Sequence, residues 1–137
     1  MKSTLLILAL SFGFMNLHCK QEQVNDVDCK NAIVGKWNWI KSCGGIAGRC
    51  NTPESTHSKI VIGFTKDSIF RKYENDKLLI ETTFKITRGK SIFSQDSAQL
   101  IEKKDMLVES FSFATSDTLF LNEECFDCYK SKYVRIK

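Results

Sequence analysis

The chain has a single proline and seven glycines in 137 residues, too few for a collagen-like repeat or a flexible low-complexity chain. It has only two histidines, His18 and His57. One falls in the N-terminal leader and the other stands alone in a polar loop, which excludes a paired-histidine metal site and a histidine-activated nucleophile. Basic runs are missing as well. The 20 Lys and Arg and 16 Asp and Glu are scattered and leave a net charge of +4, too little for a committed nucleic-acid binder. No apolar run approaches the roughly 20 residues that a membrane-crossing helix needs. Helical periodicity is absent from Ile33 onward, and the longest glycine-containing loop lacks the Gly-Lys-Ser/Thr ending that cradles a phosphate.

What is present is the composition of one globular domain, 42% hydrophobic and 26% charged. Six cysteines in so short a chain point to an oxidising compartment. The N-terminus agrees with that address: Lys2, then apolar residues from Leu5 to Phe14, then a short polar region ending at Cys19, the layout of a signal peptide over residues 1–18. Residues 19–32 follow as a polar tether, and 33–137 as the folded domain. Asn16-Leu17-His18-Cys19 resembles the relaxed lipobox of Bacteroidetes-type bacterial lipoproteins, with His18 where a small residue is usual. The resemblance implies a lipid on Cys19, hence a protein anchored to the bacterial outer membrane through that lipid and not by spanning it. Lys20-Gln21-Glu22 resembles the charged tags that send some such lipoproteins to the cell surface. A plain solvated linker explains these residues equally well.

The domain reads as all-β, with short runs rich in Ile, Val, Phe, Tyr and Thr at 34–42, 59–65, 68–74, 78–88, 91–101, 106–114, 118–123 and 128–136. Short connections favour neighbouring antiparallel strands. In the fourth run, Leu78, Ile80, Thr82, Phe84 and Ile86 alternate with more polar residues and should face the core, as should Ile60, Ile62 and Phe64 in the second. Eight such strands commonly close into an up-and-down barrel, because closure removes both exposed edges. Gly35-Lys36-Trp37 opens the first strand and Arg135 lies near the end of the last. This pattern resembles lipocalins, specifically the short lipocalin-like domains of bacterial lipoproteins. The resemblance implies that Gly35, Trp37 and Arg135 form a structural plug at the closed end.

If Trp37 faces Arg135 across antiparallel strands, Cys43 comes level with Tyr129 and next to Cys128. Cys43, Cys50, Cys125 and Cys128 then gather at the open end, where three pairings are possible. Cys29 belongs to the tether, outside this group of four. Cys125-Phe126-Asp127-Cys128 has redox spacing but sits in a strand-to-strand turn and not at a helix N-terminus, which leaves a redox role unsupported. A four-thiolate zinc site would need reduced cysteines in an oxidising compartment. No carboxylate pair marks a hydrolase; Glu123 and Glu124 point to opposite faces of a strand.

Inward alternation brings Trp39, Phe64, Phe84, Tyr129 and Tyr133 into the barrel, an apolar interior with a few hydroxyls suited to a small hydrophobic ligand. The same rings could simply fill the barrel. The loop from Cys43 to Thr56 is either a lid over the mouth or a disulfide-pinned connection. The reading is therefore a non-enzymatic envelope lipoprotein without cofactor or metal that binds a small hydrophobic ligand at its mouth. The rival is a filled barrel whose loops contact another envelope protein.

Overall fold

A computed structural model describes residues 26–137. The expected signal peptide, Cys19 and the first half of the tether lie outside the described residues. The element order is α1 (Asp26–Ile33), β1 (Gly35–Gly44), β2 (Arg49–Asn51), α2 (Pro53–Thr56), β3 (Ile60–Phe64), β4 (Ile69–Glu74), β5 (Lys77–Lys90), β6 (Ser97–Lys103), β7 (Glu109–Thr115), β8 (Thr118–Glu123) and β9 (Lys130–Arg135). All pairings are antiparallel. The sheet runs β1-β3-β4-β5-β6-β7-β8-β9 and returns from β9 to β1, with β2 as a short extra strand on β1. This is a closed, eight-stranded, up-and-down barrel, compatible with a lipocalin-like fold. Closure leaves none of the eight staves as a free edge for another chain to pair with.

Alternation decides the core. Trp37 and Trp39 of β1, Ile62 and Phe64 of β3, Phe70 of β4, Phe84 of β5, Ile101 of β6, Phe111 of β7, and Leu119 and Leu121 of β8 are all buried. Phe64 packs against Phe70 and edge-on against Phe84, with ring centres 5.2 and 5.1 Å apart, an arrangement aromatic quadrupoles favour. Leu78 departs from the expected inward set, being about half exposed. The register between β4 and β5 shifts between Lys72 and Tyr73, opposite this end of β5, and such an irregularity breaks the strict two-residue period.

Three further differences from the sequence reading have identifiable causes. Part of the tether is the helix α1. Eight residues are too few to hold a helix alone, and this one is held by docking: Ile33 is fully buried, Cys29 packs against the core, and the Lys30 ammonium donates to the Ser68 hydroxyl at 2.7 Å. Residues 91–96, expected as strand, form a connection instead. Its Ser91 hydroxyl and Ile92 N–H both donate to the Glu124 carboxylate, at 2.9 and 2.7 Å. Finally, a bulge between Trp39 and Lys41 advances the β1–β9 register, so Cys43 faces Lys130 and not Tyr129.

Candidate functional site

The two ends of the barrel differ in kind. At the closed end the Arg135 guanidinium lies 4.1 Å from the centre of the Trp37 ring. It donates to the carbonyls of Val34 (2.9 Å), Ala32 (2.6 Å) and Ser116 (3.1 Å), and the Trp37 indole N–H donates to the Ile33 carbonyl at 2.8 Å. One cation thus stacks on the plug tryptophan and satisfies carbonyls where α1 ends. Gly35, at φ 137°, is required here, since a Cβ would approach Arg135 Nη1 to 2.7 Å. These side chains fill the barrel interior at the closed end.

At the open end lies a cavity of about 400 Å³, within the range of small-molecule sites. Its floor is apolar: Ile62, Phe70 and Leu121. Trp39, Tyr129 and Tyr133 wall it, while Asn51, Thr56 and Ser58 bring the first loop to its rim. Of the five aromatic residues expected to meet a ligand, Trp39, Tyr129 and Tyr133 line this space. Phe64 and Phe84 do not; they are packed into the core beneath it. The expected apolar interior is also corrected, because Lys72, Glu74, Lys103, Glu109 and Glu123 line the cavity too.

These charges follow from the strand period. Lys72 and Glu74 continue the inward phase of Phe70, Lys103 that of Ile101, Glu109 that of Phe111, and Glu123 that of Leu121. Lys103 ion-pairs with Glu109 at a site where their side chains are only 2% and 15% exposed, and its ammonium also lies 4.5 Å from the centre of the Phe70 ring. Glu74 accepts from the Ser58 hydroxyl at 2.6 Å, and Glu123 accepts from the Tyr129 N–H at 3.0 Å. The bulge after Trp39 also turns Ser42 into the cavity, where it accepts the Trp39 indole N–H at 2.8 Å and shares a hydrogen bond with Ser131 at 2.6 Å. Glu124 turns the other way, to Ser91 and Ile92.

Burial first, and then the Glu109 carboxylate, push the Tyr133 phenol well above the ordinary tyrosine range; the Ser131 hydroxyl opposes them and the Glu123 carboxylate adds least. Above about pH 10 the unfolded chain gives up a proton that the folded barrel retains. The unfolded state then binds fewer protons, so this group's effect is absent below about pH 10 and lowers stability as pH rises beyond it. Alkaline titration followed by phenolate absorbance should show one phenol ionising only as the barrel unfolds. Tyr133→Phe should remove that step; a folded protein in which every phenol ionises reversibly would contradict the burial.

The mouth is stapled by Cys43–Cys50 and Cys125–Cys128, the local pairing among the three that topology allowed. The first loop is thus a pinned connection, a β1–β2 hairpin followed by α2. Thr52 caps α2 and Ser55 completes a capping box. The stapled turns touch: a Cβ on Gly44 would come within 2.1 Å of the Cys128 carbonyl oxygen. Each presents an exposed apolar tip, Ile46 at 97% and Phe126 at 82% exposure. Donor atoms of Glu123, Cys125 and Cys128 lie within 4.8 Å of one another, but the sulfurs are bonded to each other, and a metal would need them as thiolates.

No known protein family matches the chain, and no curated protein or solved structure is significantly similar to it.

Proposed function

We propose that the chain is a lipid-anchored, lipocalin-like protein of the bacterial envelope whose barrel mouth binds a small molecule with an apolar body and a polar end. The mouth cavity carries this reading: its floor is apolar and its upper wall charged, so a purely hydrophobic guest would strand the carboxylates without solvent. The reading is non-enzymatic. Cys19 would carry the lipid, and residues 20–25 would link it to α1, which ends at the closed end of the barrel. The mouth opposite would then be free to exchange ligand.

Two measurements test this. Fatty-acid labelling should mark the wild-type chain and not Cys19→Ser; equal labelling overturns the anchor. A neutral hydrophobic fluorophore should saturate the full chain, and Trp39→Ala should weaken it about tenfold, as expected for removing an aromatic wall worth about 1–2 kcal/mol. Saturable binding that ignores Trp39 overturns the mouth site.

A second reading, a docking module for another envelope protein, is favoured by one observation. Apolar residues ring the Cys125–Cys128 turn: Phe126 on it, Ile46 on the adjoining stapled turn, and Ile92 and Phe93 on the segment tied to Glu124. Under this reading, serine at Ile46 and Phe126 would abolish partner binding, and no fluorophore would saturate the cavity.

A further inference from the structure

Resting on the reading of the mouth as a ligand site, we infer that its ligand is a cation, a free organic amine whose ammonium sits among Glu123, Glu74 and the aromatic walls. Three carboxylates and two ammonium groups line the cavity, one negative charge in excess. Lys103 is committed to Glu109. Lys72 and Glu74 stand two positions apart on the same face of β4, about 7 Å along the strand, so each offsets the other. Glu123 is left over: among the described residues it makes no ion pair, and it accepts from a neutral backbone N–H.

The hydrogen-bonding inventory points the same way. An anionic ligand needs donors, and several here are engaged: the Trp39 N–H donates to Ser42, one hydrogen bond joins the Ser42 and Ser131 hydroxyls, and Ser58 donates to Glu74. Beside the Lys72 ammonium, which Glu74 offsets, and the Asn51 amide, the lining offers carboxylate lone pairs and the faces of Trp39, Tyr129 and Tyr133. A carboxylate accepts from an ammonium more strongly than from a neutral donor, and aromatic faces attract the same charge. The Glu109 and Glu123 carboxylates, which add to burial in raising the Tyr133 phenol, would also resist a ligand anion. A monocation brings the cavity to neutrality, while its apolar body covers Ile62, Phe70 and Leu121. A phosphate on the ligand would meet the carboxylates, which argues for a free amine over the ammonium of a lipid headgroup.

The test uses three fluorophores built on one dansyl group and one five-carbon chain, ending in ammonium, hydroxyl or carboxylate, titrated into the full chain. The ammonium probe should bind about tenfold or more tightly than the carboxylate, with the hydroxyl between. Glu123→Gln keeps the acceptor for Tyr129 N–H while removing the charge. It should weaken the ammonium probe about tenfold and leave the hydroxyl probe unchanged, a modest share of what a close charge pair contributes at a half-buried site. Glu74→Gln is the second variant should the first not fold. Hexylamine should displace the ammonium probe, and short-chain phosphatidylethanolamine should not; the reverse overturns the free-amine assignment. Equal affinities for the three probes, or a preference for the carboxylate, overturn the cation and leave the ligand site standing. Saturation by none of the three, or binding indifferent to Trp39→Ala, overturns both.

Discussion

Trp37→Ala is expected to lower the unfolding free energy by about 3–5 kcal/mol, the range for truncating a large buried aromatic residue. Trp37 is fully buried, stacks on Arg135, packs 5.9 Å from the Phe113 ring and donates to the Ile33 carbonyl. The truncation therefore leaves a cavity, an unsupported guanidinium and an unsatisfied carbonyl, and the three losses are made together. Urea unfolding should show a lower midpoint with a similar slope. Trp37→Phe keeps a ring but removes the N–H, and should cost about 1–3 kcal/mol for the stranded carbonyl. A loss under about 1 kcal/mol for the alanine variant would mean that Trp37 does not close the barrel.

The second large effect is expected at Lys103 and Glu109. Removing one member of a buried ion pair leaves the other charged and desolvated, at a cost of about 3–5 kcal/mol. Glu109→Gln should be the worse single change, since the Lys103 side chain is the more deeply buried and would keep only the Phe70 ring. Lys103→Met keeps the apolar stem over Phe70 and leaves Glu109, which has more access to solvent. The double variant Lys103→Met/Glu109→Gln should be more stable than Glu109→Gln alone. A double-mutant cycle by urea unfolding measures this coupling directly, and strictly additive losses would show that the two groups do not depend on each other.

Much of the fold was legible in the sequence because a barrel interior obeys a period of two and its turns are short. Lys66-Asp67 and Asn75-Asp76 are turn residues, and positive φ at Ser68, Asn75 and Asp76 marks where the chain reverses around β4. Less legible was whatever depends on contacts remote in sequence. Nothing local in Asp26–Ile33 marks it as a helix, because its stability comes from carbonyls and side chains that meet Arg135 and Ser68 only after closure. Ser91, Ile92 and Phe93 have the composition of a strand, yet the Glu124 carboxylate takes the Ile92 N–H, a donor that a strand would have offered its neighbour, together with the Ser91 hydroxyl.

The charged cavity wall is a different case, since its signal was present. Phe70, Lys72 and Glu74 share one phase, as do Leu119, Leu121 and Glu123. An inward phase that turns charged towards one end of several strands marks a wet end of a barrel. Following the aromatic residues alone led instead to Phe64 and Phe84, which fill the core. The bulge at Trp39–Lys41, which sends Ser42 inward and sets the level of Cys43, left no mark in residue type.

Barrel closure also sets a timetable. Arg135 meets Val34 across 101 positions of chain, so the plug joins the first strand to the last and the ring cannot shut until β9 has been made and delivered. Contacts of such long range make folding slow, on the order of milliseconds to seconds. Until then, β1 and β8 are open edges. Both cystines, by contrast, bridge only seven and three positions. Each can form within its own turn while the ring still gapes, so oxidation need neither wait for the last strand nor lock a wrong one in place.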